Sequence, residues 1–395
     1  MRSVEEHQRV VADLMIALAP QRVPLADALG LVLAADVAAP LSLPGFDNSA
    51  MDGYAVHVED VASASDANPV TLPVAEDIPA GRTDRLVIAP GTAHRIMTGA
   101  PAPDGATGVV PVEATDGGID VVVVRAAVAP GQHLRRAGED VTAGTVVLRA
   151  GDVLTPAALG LAAALGLQHL DVVPRQRVLV MSTGSELVAP GTPLEPGQIY
   201  ESNAVMLAAA VRDAGAEVVT STMTSDDVAV FRAELARHAA DADLVITTGG
   251  VSAGAYEVVK DSLGDEVEFV KVAMQPGMPQ GAGTVDGTPI ITLPGNPVSA
   301  LVSFEVFIRA PLRRAMSLPE PERPHLQATL TEALTSPRGK RQFRRGVLDG
   351  DAVTSYGPPA SHHLRWLASA NCLLELGEDV TELSAGSTVR VWDLR

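Results

Sequence analysis

Near the start of the chain, apolar positions recur at helical spacing. Val10, Val11, Leu14, Met15 and Leu18 follow Ser3-Val4-Glu5-Glu6, which has the form of a capping box. The pattern predicts a first helix, ended by Pro20 and Pro24. From about residue 40 to 130 the texture changes. Short β-branched runs at 70–74, 86–88 and 121–124 are cut by Pro, Gly and Asp, which predicts a small β-rich domain. Val146-Val147-Leu148 and a helix over 156–167 come next and predict a return to the N-terminal part. Between residues 177 and 316 strands and helices alternate. Strands are expected at 178–181, 217–219, 244–246 and 290–291, with helices at 203–214, 227–240 and 298–316. Such alternation implies right-handed crossovers and a mostly parallel sheet covered on both faces. The remainder shows short strands at 326–330 and 389–392 and predicts a small β-barrel. The expected fold class is multidomain, α/β and β. An N-terminal and linking domain takes 1–41 and 135–173, and a β-rich insert takes 42–134. A mostly parallel α/β domain takes 174–317, and a C-terminal β-barrel takes 318–395.

Composition sharpens this picture in three places. The 395 residues imply more than one core, since single cores rarely exceed roughly 250–300 residues. The net charge of −19 argues against a general nucleic-acid or anionic-membrane surface, so an anionic substrate needs local help from amides, a few cations or a divalent ion. Cys372 is the single cysteine, which excludes internal disulfides; its apolar surroundings read as core. The first residues carry charges of both signs and do not read as a signal peptide. The longest apolar stretch, 156–167, falls short of the roughly 20 residues a bilayer needs. A cytoplasmic protein is expected.

Three strand ends in the α/β region run into small polar residues. They are Ser182-Thr183-Gly184-Ser185-Glu186, Thr247-Thr248-Gly249-Gly250-Val251-Ser252 and Leu293-Pro294-Gly295-Asn296-Pro297. Ligands of open α/β sheets bind at such carboxyl ends, and glycines let backbone approach a phosphate. Any one loop reads equally well as a tight turn; the three together favour a nucleotide-like or pterin phosphate ligand. No Gly-x-x-x-x-Gly-Lys-Ser/Thr loop is present, and no Gly-x-Gly-x-x-Gly opens a helix after the first strand. A second constellation is acidic: Asp47, Asp52, Glu113, Glu139, Asp140, Glu186, Asp226, Asp227 and Glu257. Hard oxygen donors of this kind suit magnesium. Asp226-Asp227 serves equally as a helix cap, and Glu139-Asp140 as a surface turn. The Asp52 segment, 44–56, reads as a ligand loop, not a core strand. Arg338 and Lys340 read as a solvated face, and His362-His363 as loop residues without a zinc site.

Five motifs then resemble, in order along the chain, the molybdopterin molybdenumtransferases, the MoeA and gephyrin E-domain family. They are Asn48-Ser49-Ala50-Met51-Asp52-Gly53-Tyr54-Ala55, Arg95-Ile96-Met97-Thr98-Gly99-Ala100-Pro101, Arg135-Arg136-Ala137-Gly138-Glu139-Asp140, Gly249-Gly250-Val251-Ser252 and Leu293-Pro294-Gly295-Asn296-Pro297-Val298-Ser299. The resemblance implies an elongated linking domain and a molybdopterin-binding, Mog-like α/β domain. It implies a homodimer whose active cleft is shared between subunits. The implied reaction inserts molybdate into adenylylated molybdopterin with magnesium, releasing AMP; a molybdopterin adenylyltransferase is an implied partner. Carried over, the catalytic positions are Asp52, Asp140, Glu186, Asp226 and Glu257, with Asp52, Asp226 and Glu257 on the metal. Substrate-binding positions are Thr98, Arg135, Ser182, Thr183, Gly184, Gly249, Gly250, Val251, Ser252, Lys271, Pro294, Gly295, Asn296, Pro297, Arg345 and Ser361. Where many members have Lys-Pro-Gly-Lys-Pro this chain has Gln275-Pro276-Gly277-Met278-Pro279, and Glu257 and Ala360 replace a usual Asp and Gly. A tungstate-inserting paralogue and a non-catalytic scaffold on the same fold are the alternatives.

Overall fold

The computed structural model describes residues 1–251 and 258–395. Ser252 and Glu257, both singled out above, lie outside the described residues. Two compact units emerge, one of residues 1–21 with 172–395 and the other of residues 22–171.

The first unit centres on a six-stranded sheet in the order Glu217–Thr224, Arg177–Thr183, Leu244–Thr248, Thr288–Leu293, Pro279–Val285, Val267–Lys271. The first four strands run parallel; the last two add as antiparallel neighbours. Alternate residues of each strand feed opposite faces. Val178, Val180, Leu244, Ile246, Ile291 and Leu293 meet helices Val4–Leu14, Asn203–Asp213 and Pro297–Ser303. Leu179, Met181, Val245 and Ile290 meet helices Val228–Ala239 and Val258–Leu263. Both faces are therefore apolar, as a mostly parallel sheet requires.

The first helix carries the capping box: Glu6 N–H donates to Ser3 Oγ at 3.1 Å and Ser3 N–H to Glu6 Oε2 at 2.9 Å. It stops at Leu14, so Leu18 lies beyond it. The long helix expected over 298–316 is interrupted by a π-helical turn, Phe304–Ile308, before Arg309–Ala315. The wide turn sits just ahead of Pro311, whose ring removes a donor and crowds the preceding turn. The expected barrel is present and closed. Strands Arg341–Asp349, Ala352–Ser355, His325–Leu330, Thr388–Asp393 and Cys372–Leu376 pair in that order, and the last returns to the first. Cys372 is fully buried among its apolar side chains, and burial pushes its thiol up to about 12.

The second unit is built on a five-stranded sheet, Gly108–Pro111, Gly53–Val56, Ala93–Ile96, Val70–Ile78, Val121–Val124. Gly53–Val56 is buried throughout, which corrects the reading of 44–56 as entirely loop: only the part up to Asp52 is the turn-rich segment. Gly53 permits that pairing, since a Cβ there would meet the carbonyl oxygen of Val110 at 2.0 Å. The run 86–88 forms an isolated bridge at Val87 with Asp104, not a strand. Val146–Leu148 pairs with Val37–Ala38, returning the chain to its N-terminal part as expected.

Candidate active site

The strand order of the first unit reverses beside Arg177–Thr183. The chain leaves this strand for Glu217–Thr224 on one side and returns to Leu244–Thr248 on the other. Crevices at such switch points are where α/β folds take ligands. A cleft of about 1020 Å³ opens there. It is lined by Ser182, Thr183, Gly184 and Glu186, by Asp226, by Gly249, Gly250 and Val251, by Pro294, Gly295, Asn296 and Pro297, and by Ser361. All three predicted strand ends thus converge on one space.

Side-chain hydroxyls and one amide tie the three ends together. Thr183 Oγ1 donates to the Thr248 carbonyl at 3.4 Å, and Thr248 Oγ1 to the Pro294 carbonyl at 3.0 Å. Asn203 Nδ2 donates to Thr248 Oγ1 at 3.1 Å and to the Gly295 carbonyl at 2.7 Å. The packing leaves no room for side chains at the crossing. Gly249 has φ 92°, and a Cβ on it would meet the Thr183 carbonyl oxygen at 2.6 Å. Asn203 and Glu201 line the cleft and were missed, because a polar residue ahead of an apolar run reads from sequence as an ordinary helix start.

Among the described lining residues, Glu186, Glu201 and Asp226 are acidic and none is Lys or Arg. Asp226 Oδ2 accepts from the Ser185 N–H at 2.9 Å, and Asp226 N–H donates to Ser185 Oγ at 3.1 Å. Its neighbour Asp227 is the helix cap, accepting from the Val230 N–H at 2.9 Å. Sequence alone gave the cap to one of the two; geometry assigns it to Asp227 and leaves Asp226 to the cleft.

Lys271 ends an edge strand, exposed, and is not among the lining residues. Arg345 is buried and does not line the cleft either; its guanidinium donates to the carbonyls of Pro358, Ala360 and His363. Burial lowers its pKa. Its role is to hold the 358–363 turn, from which Ser361 reaches the cleft and accepts the Val298 N–H through its carbonyl at 3.0 Å. Gln275, Gly277 and Met278 also line the space and bring no positive charge to it.

The remaining predicted residues belong to the second unit. Asp52 is exposed and accepts from both the N–H and the hydroxyl of Thr98, each at 2.7 Å. Arg135 is exposed and pairs in register with Asn48. Asp47 accepts the Ala137 N–H at 2.8 Å and is paired with Arg136; first that amide and then the guanidinium hold its carboxyl below the usual range, against desolvation. Asp140 is exposed in a turn, its N–H donating to Leu43, as the surface-turn reading expects. No group of three or more His, Cys, Asp or Glu gathers at metal-binding distance among the described residues.

Three family models match the chain: "MoeA N-terminal region (domain I and II)" over residues 2–166, "Probable molybdopterin binding domain" over 179–314, and "MoeA C-terminal region (domain IV)" over 327–394. Molybdopterin molybdenumtransferase 2 of Mycobacterium tuberculosis H37Rv is 70% identical over 404 residues, covering 100% of both chains. The molybdopterin molybdenumtransferase of Haemophilus influenzae is 35% identical, covering 93% of this chain and 92% of its own. Among solved structures, the molybdopterin biosynthesis MoeA protein of Pyrococcus horikosii superposes with a TM-score of 0.81 at 29% identity, covering 100% of this chain and 99% of that one.

Proposed function

The chain belongs to the molybdopterin molybdenumtransferase family, and from that premise we propose that it inserts molybdate into adenylylated molybdopterin, releasing AMP and giving molybdenum cofactor. Water adds across the phosphoanhydride bond, giving AMP and molybdopterin phosphate, while the two dithiolene thiols bond to molybdenum and their protons leave with two displaced oxygens of molybdate as hydroxide. The observation that carries this reading is the convergence of three Gly-containing strand ends on a cleft of about 1020 Å³. That volume lies at the upper end of small-molecule sites and suits a pterin joined to a nucleotide.

The donor set fits magnesium. Glu186 and Asp226 offer hard oxygens in a cleft that its described residues leave without Lys or Arg, so an anionic substrate there needs a cation. Asp52, Asp226 and Glu257 are the carboxylates that would hold metal. When bound, the ion offsets charge on the phosphoanhydride oxygens. Glu186 and Asp140 complete the acidic catalytic groups. Ser182, Thr183, Gly184 and the 249–252 and 294–297 loops bind substrate, and Thr98, Arg135, Lys271 and Ser361 are further substrate-binding residues of the same reading. Arg345 acts through the turn it holds. The working unit is a cytoplasmic homodimer, supplied with adenylate by a molybdopterin adenylyltransferase. No described helix is long and apolar enough to cross a membrane.

Hydrogen exchange tests the placement. Adenylylated molybdopterin should protect the amides of 182–186, 247–251 and 293–296. Protection confined to the barrel strands between 325 and 393 would contradict the reading.

A further inference from the structure

Ser182 and Glu201 face the cleft with all their protons already committed. Ser182 is 1% exposed and its Oγ–H donates to Glu201 Oε1 at 2.8 Å. The Ala204 N–H donates to the same oxygen at 2.6 Å. A serine hydroxyl has one proton, so what Ser182 offers a ligand is its lone pairs. Glu201 is 6% exposed, has no Lys or Arg partner among the described residues, and lines the cleft. No described residue donates to its second oxygen, Oε2.

From this pair we infer an acceptor-only subsite that takes the amino-bearing edge of a heterocyclic ring, which leaves the substrate's phosphates to the other strand ends. The inference rests on the cleft being the substrate site proposed above. An oxyanion brought against Ser182 and Glu201 would set lone pairs and negative charge against their like. The amino group of such a ring supplies the missing donors instead. Two rings of the substrate carry such an edge: the 2-amino, N3–H face of the pterin and the 6-amino group of adenine. Glu201 is the specificity-determining group, and Ser182 presents the lone pairs that Glu201 has oriented.

Two matched probe pairs test it on the full-length protein. A pterin monophosphate is compared with the corresponding 2-desaminopterin phosphate, and AMP with purine riboside monophosphate, each analogue carrying hydrogen in place of the amino group. The wild type should prefer the amino member of one pair by about tenfold or more, because a site built to accept from N–H rejects the analogue that lacks it. Glu201→Gln keeps an oxygen for the Ala204 cap and turns an amide donor toward the cleft. It should bring that ratio close to one, leave the other pair unchanged and keep the thermal midpoint. Ser182→Ala should weaken the same preference by a smaller factor. Which pair responds identifies the ring. Selectivity retained in Glu201→Gln would overturn the proposal, as would equal loss of all four probes together with a lowered midpoint. So would a fall in magnesium affinity with selectivity intact, which would make Glu201 a metal ligand. A wild type that binds none of the four would instead overturn the assignment of the cleft itself.

Discussion

The Asp52 carboxylate is set in place before any ligand arrives, because the N–H and hydroxyl of Thr98 both donate to Oδ1. The backbone bond first, then the hydroxyl bond, lower its pKa below 3.8 against a smaller desolvation. It therefore stays ionised throughout the neutral range and is available to a cation. Asp52→Asn preserves shape and both acceptor contacts while removing charge. AMP release should fall by about two orders of magnitude, the typical cost of losing one preorganised electrostatic group. The thermal midpoint should not move, since the side chain is exposed. Wild-type turnover, or loss of turnover only through unfolding, would remove Asp52 from the catalytic set. At this scale the sequence exposes chemistry but not assignment. Asp226 and Asp227 are adjacent carboxylates, and which one caps the helix is decided by backbone direction at Val228. Arg345 is carried over from the resemblance as a substrate-binding position, while its three carbonyl partners tie it to the 358–363 turn.

Elements with local causes were legible. Ser3 and Glu6 announce the first helix, and alternating apolar strands and helices announce the parallel sheet. The hairpin of Pro279–Val285 with Thr288–Leu293 was not, because Gln280-Gly281-Ala282-Gly283 lacks the β-branched run that marks a strand. Its glycines are there for contact: a Cβ on Gly281 would meet Thr292 Oγ1 at 2.1 Å. The same physics governs the cleft floor. Gly249→Ala should destabilise the protein by about 2 kcal/mol through backbone strain and overlap with Thr183. Gly287→Ala is the matched control. Its φ is 85° but nothing lies within 4 Å of its Cβ position, so it bears the strain without the overlap. Equal losses in urea unfolding would contradict the crowding at Gly249. In the first helix, His7 is fully buried, edge-on to Phe307 at 4.7 Å. Burial, then Arg2, lower it from 6.5 to about 4, against a smaller opposing effect of Glu268. The unfolded chain thus binds this proton more tightly. The contribution is fully present above pH 6.5 and is lost as pH falls through about 4. Between pH 7 and 5 the wild type should lose about 2 kcal/mol relative to His7→Leu. A pH-independent difference would show that His7 is not held neutral.

At the scale of the whole molecule, a chain of net charge −19 is proposed to take a polyanion into a cleft whose described lining lacks Lys and Arg. A divalent cation would resolve that conflict, so on this proposal chelation should abolish turnover and magnesium should restore it. The homodimer should appear in light scattering as twice the 40.8 kDa chain mass at micromolar concentration; the single-chain mass would count against it. The alternation of strands and helices over 177–316 was legible because that stretch has its own apolar period, and the five family motifs run in order across both units. What was not legible is how hydroxyls and an amide lock the strand ends, since Thr183, Thr248 and Asn203 are distant in sequence. The most direct test of the central claim is reconstitution of the purified protein with adenylylated molybdopterin and magnesium, with or without molybdate. AMP release should depend on molybdate and match, mole for mole, the cofactor able to activate an apo-molybdoenzyme. AMP release at the same rate without molybdate, or none with it, would contradict the account.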